Sequence, residues 1–264
     1  MSKSKKSTGL PDYEMPPIIE VVCGLKFKGL ESLKIPHYGA FWSKIDTKFP
    51  RCEHAQPIGS GPDVDDSVTG LPVPRIWLIN KPDDRLVQLQ KNALLYNWRK
   101  CENEPYPRYE KIIFEYKSLL DSFQSFLGDR KLGEIAPVEC KLTYINMISE
   151  KDGWKTAGDV GKIFSDVSWK RRRGRFLPEP SQIGWNASFQ LPDNNGKLDV
   201  RLDQRIRRVD GTPILMLELN AHGIGAHKKV SEIWDWYALA HDWIVQGFAD
   251  LTQPIIQEKV WVKK

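Results

Sequence analysis

Two stretches of this chain, about half its length apart, run through the same succession of local patterns. That repetition constrains the fold more than any single motif. The first pass opens with residues 18–28 (IIEVVCGLKFK), β-branched and apolar, closed by Gly29 and read as a buried strand. Tyr38, Phe41, Trp42, Ile45 and Phe49 follow at spacings of three and four, one face of a helix that Pro50 ends. Residues 52–74 are full of Gly, Pro and Asp and predict a long loop. Three short strands are expected over 75–80, 85–90 and 93–99, the last two joined by a tight turn at Lys91-Asn92. Tyr109, Ile112, Ile113, Tyr116, Leu119, Leu120, Phe123 and Leu127 then mark the apolar stripe of a long helix, with Gly128 at its C-terminal end.

The second pass repeats the order. Residues 138–148 read as a strand, and 157–167 as a short helix with Val160, Ile163, Phe164 and Val167 on one side. Trp185, Ala187, Phe189 and Leu191 alternate with Asn186, Ser188 and Gln190. Leu198, Val200, Leu202 and Ile206 likewise alternate with Asp199, Arg201, Asp203 and Arg205. Asn194-Asn-Gly reads as the hairpin between them, and residues 213–220 form a third strand. Val230, Ile233, Trp234, Tyr237, His241, Ile244, Phe248 and Leu251 line a last long helix. Pro17 and Pro137 stand 120 apart; Ile112 and Ile233, like Tyr116 and Tyr237, stand 121 apart. So long a period predicts a domain duplication rather than a solenoid.

The expected fold is α+β: a tandem duplication of a βαβββα unit, its antiparallel sheet or sheets covered on one face by two long helices. Residues 1–16 are expected to be a disordered basic tail, 17–133 the first half and 134–264 the second, together one pseudo-twofold unit.

No run approaches the roughly 20 apolar residues that span a bilayer, and the polar, basic N-terminus is not expected to act as a secretory signal. Cys23, Cys52, Cys101 and Cys140 lie far apart with no CxxC pair, which argues for a reducing, cytoplasmic setting and against a disulfide framework or zinc ribbon. A net charge of +5 favours acidic partners only slightly.

Pro16-Pro-Ile-Ile-Glu, Leu95-Tyr-Asn-Trp-Arg, Tyr144-Ile-Asn and the closing Phe248-Ala-Asp-Leu-Thr together resemble a sporadically distributed family of uncharacterised bacterial proteins of about this size. The resemblance implies an accessory-gene context, mobile or defence-linked, and brings no catalytic residues. By fold analogy, a duplicated unit of this order looks like the saddle of TATA-binding proteins, which has four strands where three are counted here. It also looks like duplicated GyrI-like effector-binding domains. Neither analogy fixes function.

The run Trp169, Lys170, Arg171, Arg172, Arg173, Gly174, Arg175, Phe176 sets five cations between two aromatics. Such a run suits phosphate pairing with base stacking, against the plainer reading of a solvated loop. Arg201, Arg205, Arg207 and Arg208 would extend it, yet Asp199, Asp203 and Asp210 share those strands. Asp129, Glu139 and Lys141 have the spacing of a metal-dependent nuclease core, in a pattern frequent by chance. The stretch 220–229, with Gly223, Gly225, Lys228 and Lys229, lacks the Walker and GxGxxG spacings, and Glu218, His222 and His227 lack that of HExxH. Cys52-Glu-His54 has no partner pair for a metal. His241, on an apolar stripe, reads as a buried, hydrogen-bonded histidine.

The leading expectation is a non-enzymatic binding protein that contacts nucleic acid through Trp169, Lys170, Arg171, Arg172, Arg173 and Arg175, or a protein partner from the same gene cluster. The alternative is a small-molecule sensor with a cleft between the halves lined by Tyr96, Trp98 and Tyr144. A nuclease ranks third. No cofactor and no metal are expected.

Overall fold

A computed structural model describes every residue except 1–8, 60, 62–63, 67–68, 72, 102–103, 171 and 226–228. From its first strand, β1 (Ile18–Phe27), the chain passes through α1 (Ile35–Ile45) into β2 (Arg51–Ala55) and β3 (Arg75–Ile79). Next come β4 (Arg85–Gln90), β5 (Ala93–Arg99) and the long α2 (Tyr109–Asp129). The remainder runs β6 (Pro137–Ile148), α3 (Val160–Ile163), β7 (Gly184–Gln190), β8 (Lys197–Ile206) and β9 (Pro213–Gly223), then α4 (Ile233–Leu251) and α5 (Pro254–Lys259).

These nine strands form one antiparallel sheet, ordered β2-β3-β4-β5-β1-β6-β9-β8-β7. Outward from the central β1–β6 pair come β5, β4 and β3 on one side, and β9, β8 and β7 on the other; β2 prolongs the first side.

The pleat decides which side chains enter the core. Val21, Cys23, Leu25 and Phe27 of β1, Cys140 and Leu142 of β6, and Leu217, Leu219 and Ala221 of β9 are buried. They form one cluster with Ile112, Tyr116, Leu120 and Phe123 of α2 and Ile233, Tyr237 and Ile244 of α4. Burying each large apolar side chain contributes about 1.5–3 kcal/mol. α2 packs on β1 and β5, and α4 on β6, β8 and β9. The helices meet where Tyr116 and Tyr237 set their rings edge to face, 5.7 Å apart. Both buried hydroxyls are satisfied by sheet backbone: Tyr116 donates to the Leu94 carbonyl (3.2 Å) and Tyr237 to that of Gly24 (2.6 Å). No helix among the described residues is long and apolar enough to cross a membrane.

Several expectations need correction. The stretch read as loop from Cys52 onward begins with β2, an edge strand paired to β3. Its side chains are almost all exposed, so no apolar alternation announces it. α3 is a single turn, and α5 was unforeseen. In the hairpin, Phe189 and Ile206 are 41% and 61% exposed, because β7 is an edge strand and Ile206 is the last residue of β8. Residues 9–16 are not a free tail. Tyr13 is 5% exposed and donates its hydroxyl to Gln257 Oε1 (2.9 Å), while the Glu14 and Met15 N–H groups bond to the Val262 and Trp261 carbonyls. Residues 1–8 of the expected tail lie outside the described residues.

Candidate functional site

Where α2 begins, its cover over the sheet stops, and the chain leading into it is the extended segment Pro105-Tyr106-Pro107-Arg108. The space left between this segment, the second half of α4 and the β1–β6 pair is a cavity of about 330 Å³. Tyr106, Tyr109, Tyr144, His241, Ile244 and Phe248 line it on the helix side. The Tyr106 hydroxyl donates to that of Tyr144 (3.1 Å). The His241 ring stacks on Tyr109 and stands 6.1 Å from Tyr144.

Residues 10–16 close the outer side. Tyr13 sets its ring edge-on against Phe248 and Trp261, and the Lys264 N–H reaches the Asp12 carbonyl. Arg108 ties this strap to α2: its Nη1 binds Asp12 Oδ1 (2.5 Å) and the Tyr13 carbonyl (3.0 Å). Its backbone is in a region nearly reserved for glycine (φ 74°, ψ 157°), a strain on the order of 1–3 kcal/mol that the surrounding contacts must hold.

Burial pushes the His241 imidazole down to about 4, against a smaller upward pull from Glu110. It is therefore neutral at ordinary pH. Burial likewise raises the Tyr106, Tyr109 and Tyr144 phenols, which stay protonated. The aromatic part of the wall is thus neutral, with hydroxyl and imidazole groups as its polar points, while Asp12, Arg108, Glu110 and Asn146 add polar and charged groups to the lining. It is suited to stacking and hydrogen bonding.

Of the three aromatics expected to line a cleft, only Tyr144 does. Tyr96 and Trp98 are buried beneath α2: the Tyr96 hydroxyl donates to Glu115 Oε2 (2.6 Å), and Trp98 packs behind Tyr106 (5.2 Å). Sequence reasoning missed Tyr106 and Tyr109. The histidine on the α4 stripe was the available signal, but it was read as hydrogen-bonded, whereas it is held by stacking.

The basic run lies on the connection between α3 and β7. Arg171 lies outside the described residues. The Arg175 guanidinium lies 3.4 Å from the Trp169 ring centroid and donates to the Lys170 carbonyl (2.8 Å). Lys170, Arg172, Arg173 and Arg175 make no ion pair among the described residues, and Phe176 is 96% exposed. Three of the four arginines expected to extend this surface are engaged: Arg201 and Arg205 on Asp203 (2.6 and 3.4 Å), Arg207 on Asp210 (2.5 Å); Arg208 makes no ion pair among the described residues.

Of the nuclease constellation, Glu139 and Lys141 line one hollow on β6, and the two acids each have a lysine partner elsewhere. Asp129 ends α2 and pairs with Lys44 of α1 (3.0 Å), while Glu139 pairs with Lys26 of β1 (2.7 Å). No group of three His, Cys, Asp or Glu among the described residues is placed to hold a metal. Cys52, Glu53 and His54 are spread along the exposed edge strand β2. In the stretch 220–229, Asn220 and His222 belong to β9, Gly223 backs onto the β7–β8 turn, and His227 and Lys228 lie outside the described residues.

The class these features define is an α+β protein built on a nine-stranded antiparallel sheet with helices on one face. No protein-family model matches the chain, and no curated protein does. Among solved structures it is similar to the crystal structure of the di-domain ARO/CYC StfQ from the steffimycin biosynthetic pathway. That similarity has 6% identity and a TM-score of 0.19, over 92% of this chain and 98% of that one. So low a score carries nothing over to this chain.

Proposed function

We propose that the protein is a non-enzymatic binding protein whose ligand is a small, largely apolar molecule held between α2 and α4. The observation that carries this reading is a space of about 330 Å³ within the helix–sheet layer. Protein interiors are otherwise close-packed, and ligand sites are typically apolar hollows of roughly 300–1,000 Å³ with few polar groups. A planar molecule with a hydroxyl or carbonyl edge suits walls of tyrosine and neutral histidine. Arg108 is already engaged by Asp12, and Glu110 also lines the space, so an anionic body is disfavoured.

The duplication gives this location its sense. Descent of 17–133 and 134–264 from one βαβββα unit is supported by the strand order, which reads alike outward from β1 and β6. A cavity over that seam draws its wall from both halves, as in a two-lobed sensor. Native mass spectrometry of protein purified from cells is expected to show an added mass that Ile244→Phe, filling the space, removes. A wild-type mass equal to the polypeptide alone, with melting indifferent to small aromatic compounds, ends the reading.

A second reading, contact with nucleic acid, is supported by Lys170, Arg172, Arg173 and Arg175, which make no ion pair among the described residues. Five phosphate contacts give a log–log salt slope of roughly −4. Binding unchanged after residues 170–175 are neutralised removes that surface.

A further inference from the structure

The opposite face of the β1–β6 pair carries a second hollow, of about 280 Å³, and its floor is Gly24. A glycine inside a strand weakens it, and often marks a place where something must approach the backbone closely. Gly24 stands opposite Leu95 on β5 and Lys141 on β6. A Cβ there would lie 3.0 Å from Leu95 Cγ, so any side chain would need Leu95 to give way by a few tenths of an ångström. One wall is apolar, made by Ile58, Ala93 and Leu95, which pack together with Val22. The other is polar, made by Lys141, Asn220 and His222, with Lys26 and Glu139 also lining the hollow.

Most of the side-chain hydrogen-bonding capacity left in this hollow belongs to donors. Glu139 is taken by Lys26 (2.7 Å) and faces His222 Nδ1 (3.6 Å); His222 Nε2 faces Asp199 (2.9 Å), which also accepts from Ser188. Gln90 uses both ends of its amide, on Ile58 and on Asn92 Oδ1. Asn220 Oδ1 accepts from Thr143 (2.8 Å). Among the described residues this leaves the Nδ2 groups of Asn92 and Asn220 and the ammonium of Lys141 without an acceptor. All three are donors, and Lys141 is a half-buried charge with no carboxylate within ion-pair distance among the described residues. A partly desolvated cation favours an anion, and a carboxylate is acceptor-only.

We infer that this hollow binds a small monocarboxylate with a short apolar body. The carboxylate meets Lys141 and Asn220, and the body lies on Ala93 and Leu95. One unpaired cation matches one negative charge, and the apolar wall opposite distinguishes such a ligand from an inorganic anion. The site is separate from the helix-side cavity.

The test is titration with 4-methylpentanoate, followed by the methyl signals of Ala93 and Leu95 in NMR spectra of the whole chain. A saturable shift is expected, weakened about tenfold or more in Lys141→Met, since hydrogen bonds to charged groups are the strong ones. The neutral 4-methylpentanamide should produce none with the wild type, a control that needs no variant. Ile244→Phe should leave the titration unchanged, which separates this site from the helix-side reading. No saturable shift with the acid, equal binding of the amide, an unaffected Lys141→Met, or full competition by inorganic phosphate each overturns the assignment.

Discussion

His241 of α4 lies flat on Tyr109 of α2, with ring centroids 3.9 Å apart and planes 7° from parallel. This contact joins the two long helices at the mouth of the helix-side cavity. It takes the histidine largely out of water, with Asp242 Oδ1 3.8 Å from its Nδ1 and only a weak upward pull from Glu110.

Stability should therefore fall on acidification in a defined window. The folded chain holds His241 down at about 4, against 6.5 when it is free. Between those values the unfolded chain takes up a proton that the folded one refuses. The contribution, about 3 kcal/mol, is present above pH 6.5 and lost as pH falls towards 4. Urea unfolding across that range measures it, and His241→Phe is expected to flatten this part of the profile.

Glu115 joins two buried groups. It accepts from Arg85 Nε (2.8 Å) and from the Tyr96 hydroxyl (2.6 Å). Burial pushes its carboxyl up, but these bonds and the Arg85 charge outweigh that and hold it below the ordinary value. Glu115→Ala strands both partners, with only Asp84 left beside Arg85. A loss of about 3 kcal/mol is expected in denaturant melts, and less for Glu115→Gln.

Glu20 has the opposite sign. Burial raises its carboxyl, Asn97 and Arg99 oppose the rise, and Glu218 adds to it. The folded chain thus keeps this proton longer than the unfolded one, so stability declines as pH rises from the usual glutamate range through the raised value. Glu20→Gln keeps an acceptor for Asn97 Nδ2, which lies 2.6 Å away in the wild type. It should raise the melting temperature at neutral pH, with the gain vanishing in acid.

Gly196 is backed against β9. With φ 113°, a Cβ on it would stand 2.1 Å from the His222 carbonyl oxygen. Gly196→Ala is expected to cost at least about 2 kcal/mol and to disturb the β7–β8 turn, both readable from thermal melts and amide exchange.

What could be read in advance was whatever local patterning dictates. The stripe through Ile112, Tyr116 and Phe123 specified α2, and the alternation of Leu198, Val200 and Leu202 specified β8, because each element buries one face against a large partner. β2 escaped notice because an edge strand with exposed side chains needs no apolar period. Tyr13 escaped because its burial depends on Phe248 and Trp261, more than two hundred residues away. The cavity wall was legible only at Tyr144. Tyr96 lies two residues from Trp98 on the same face of β5, yet that face lies under α2, and strand periodicity does not say where a helix ends.

One strand separates the two hollows. Along β6, Tyr144 faces the helices while Lys141 and Thr143 face the other way, so each hollow takes its share of the wall from alternate residues of the same ribbon. β6 is a party wall. Sliding it by a single position against its neighbours would hand the lysine to the aromatic chamber and the tyrosine to the open side, spoiling both rooms at once.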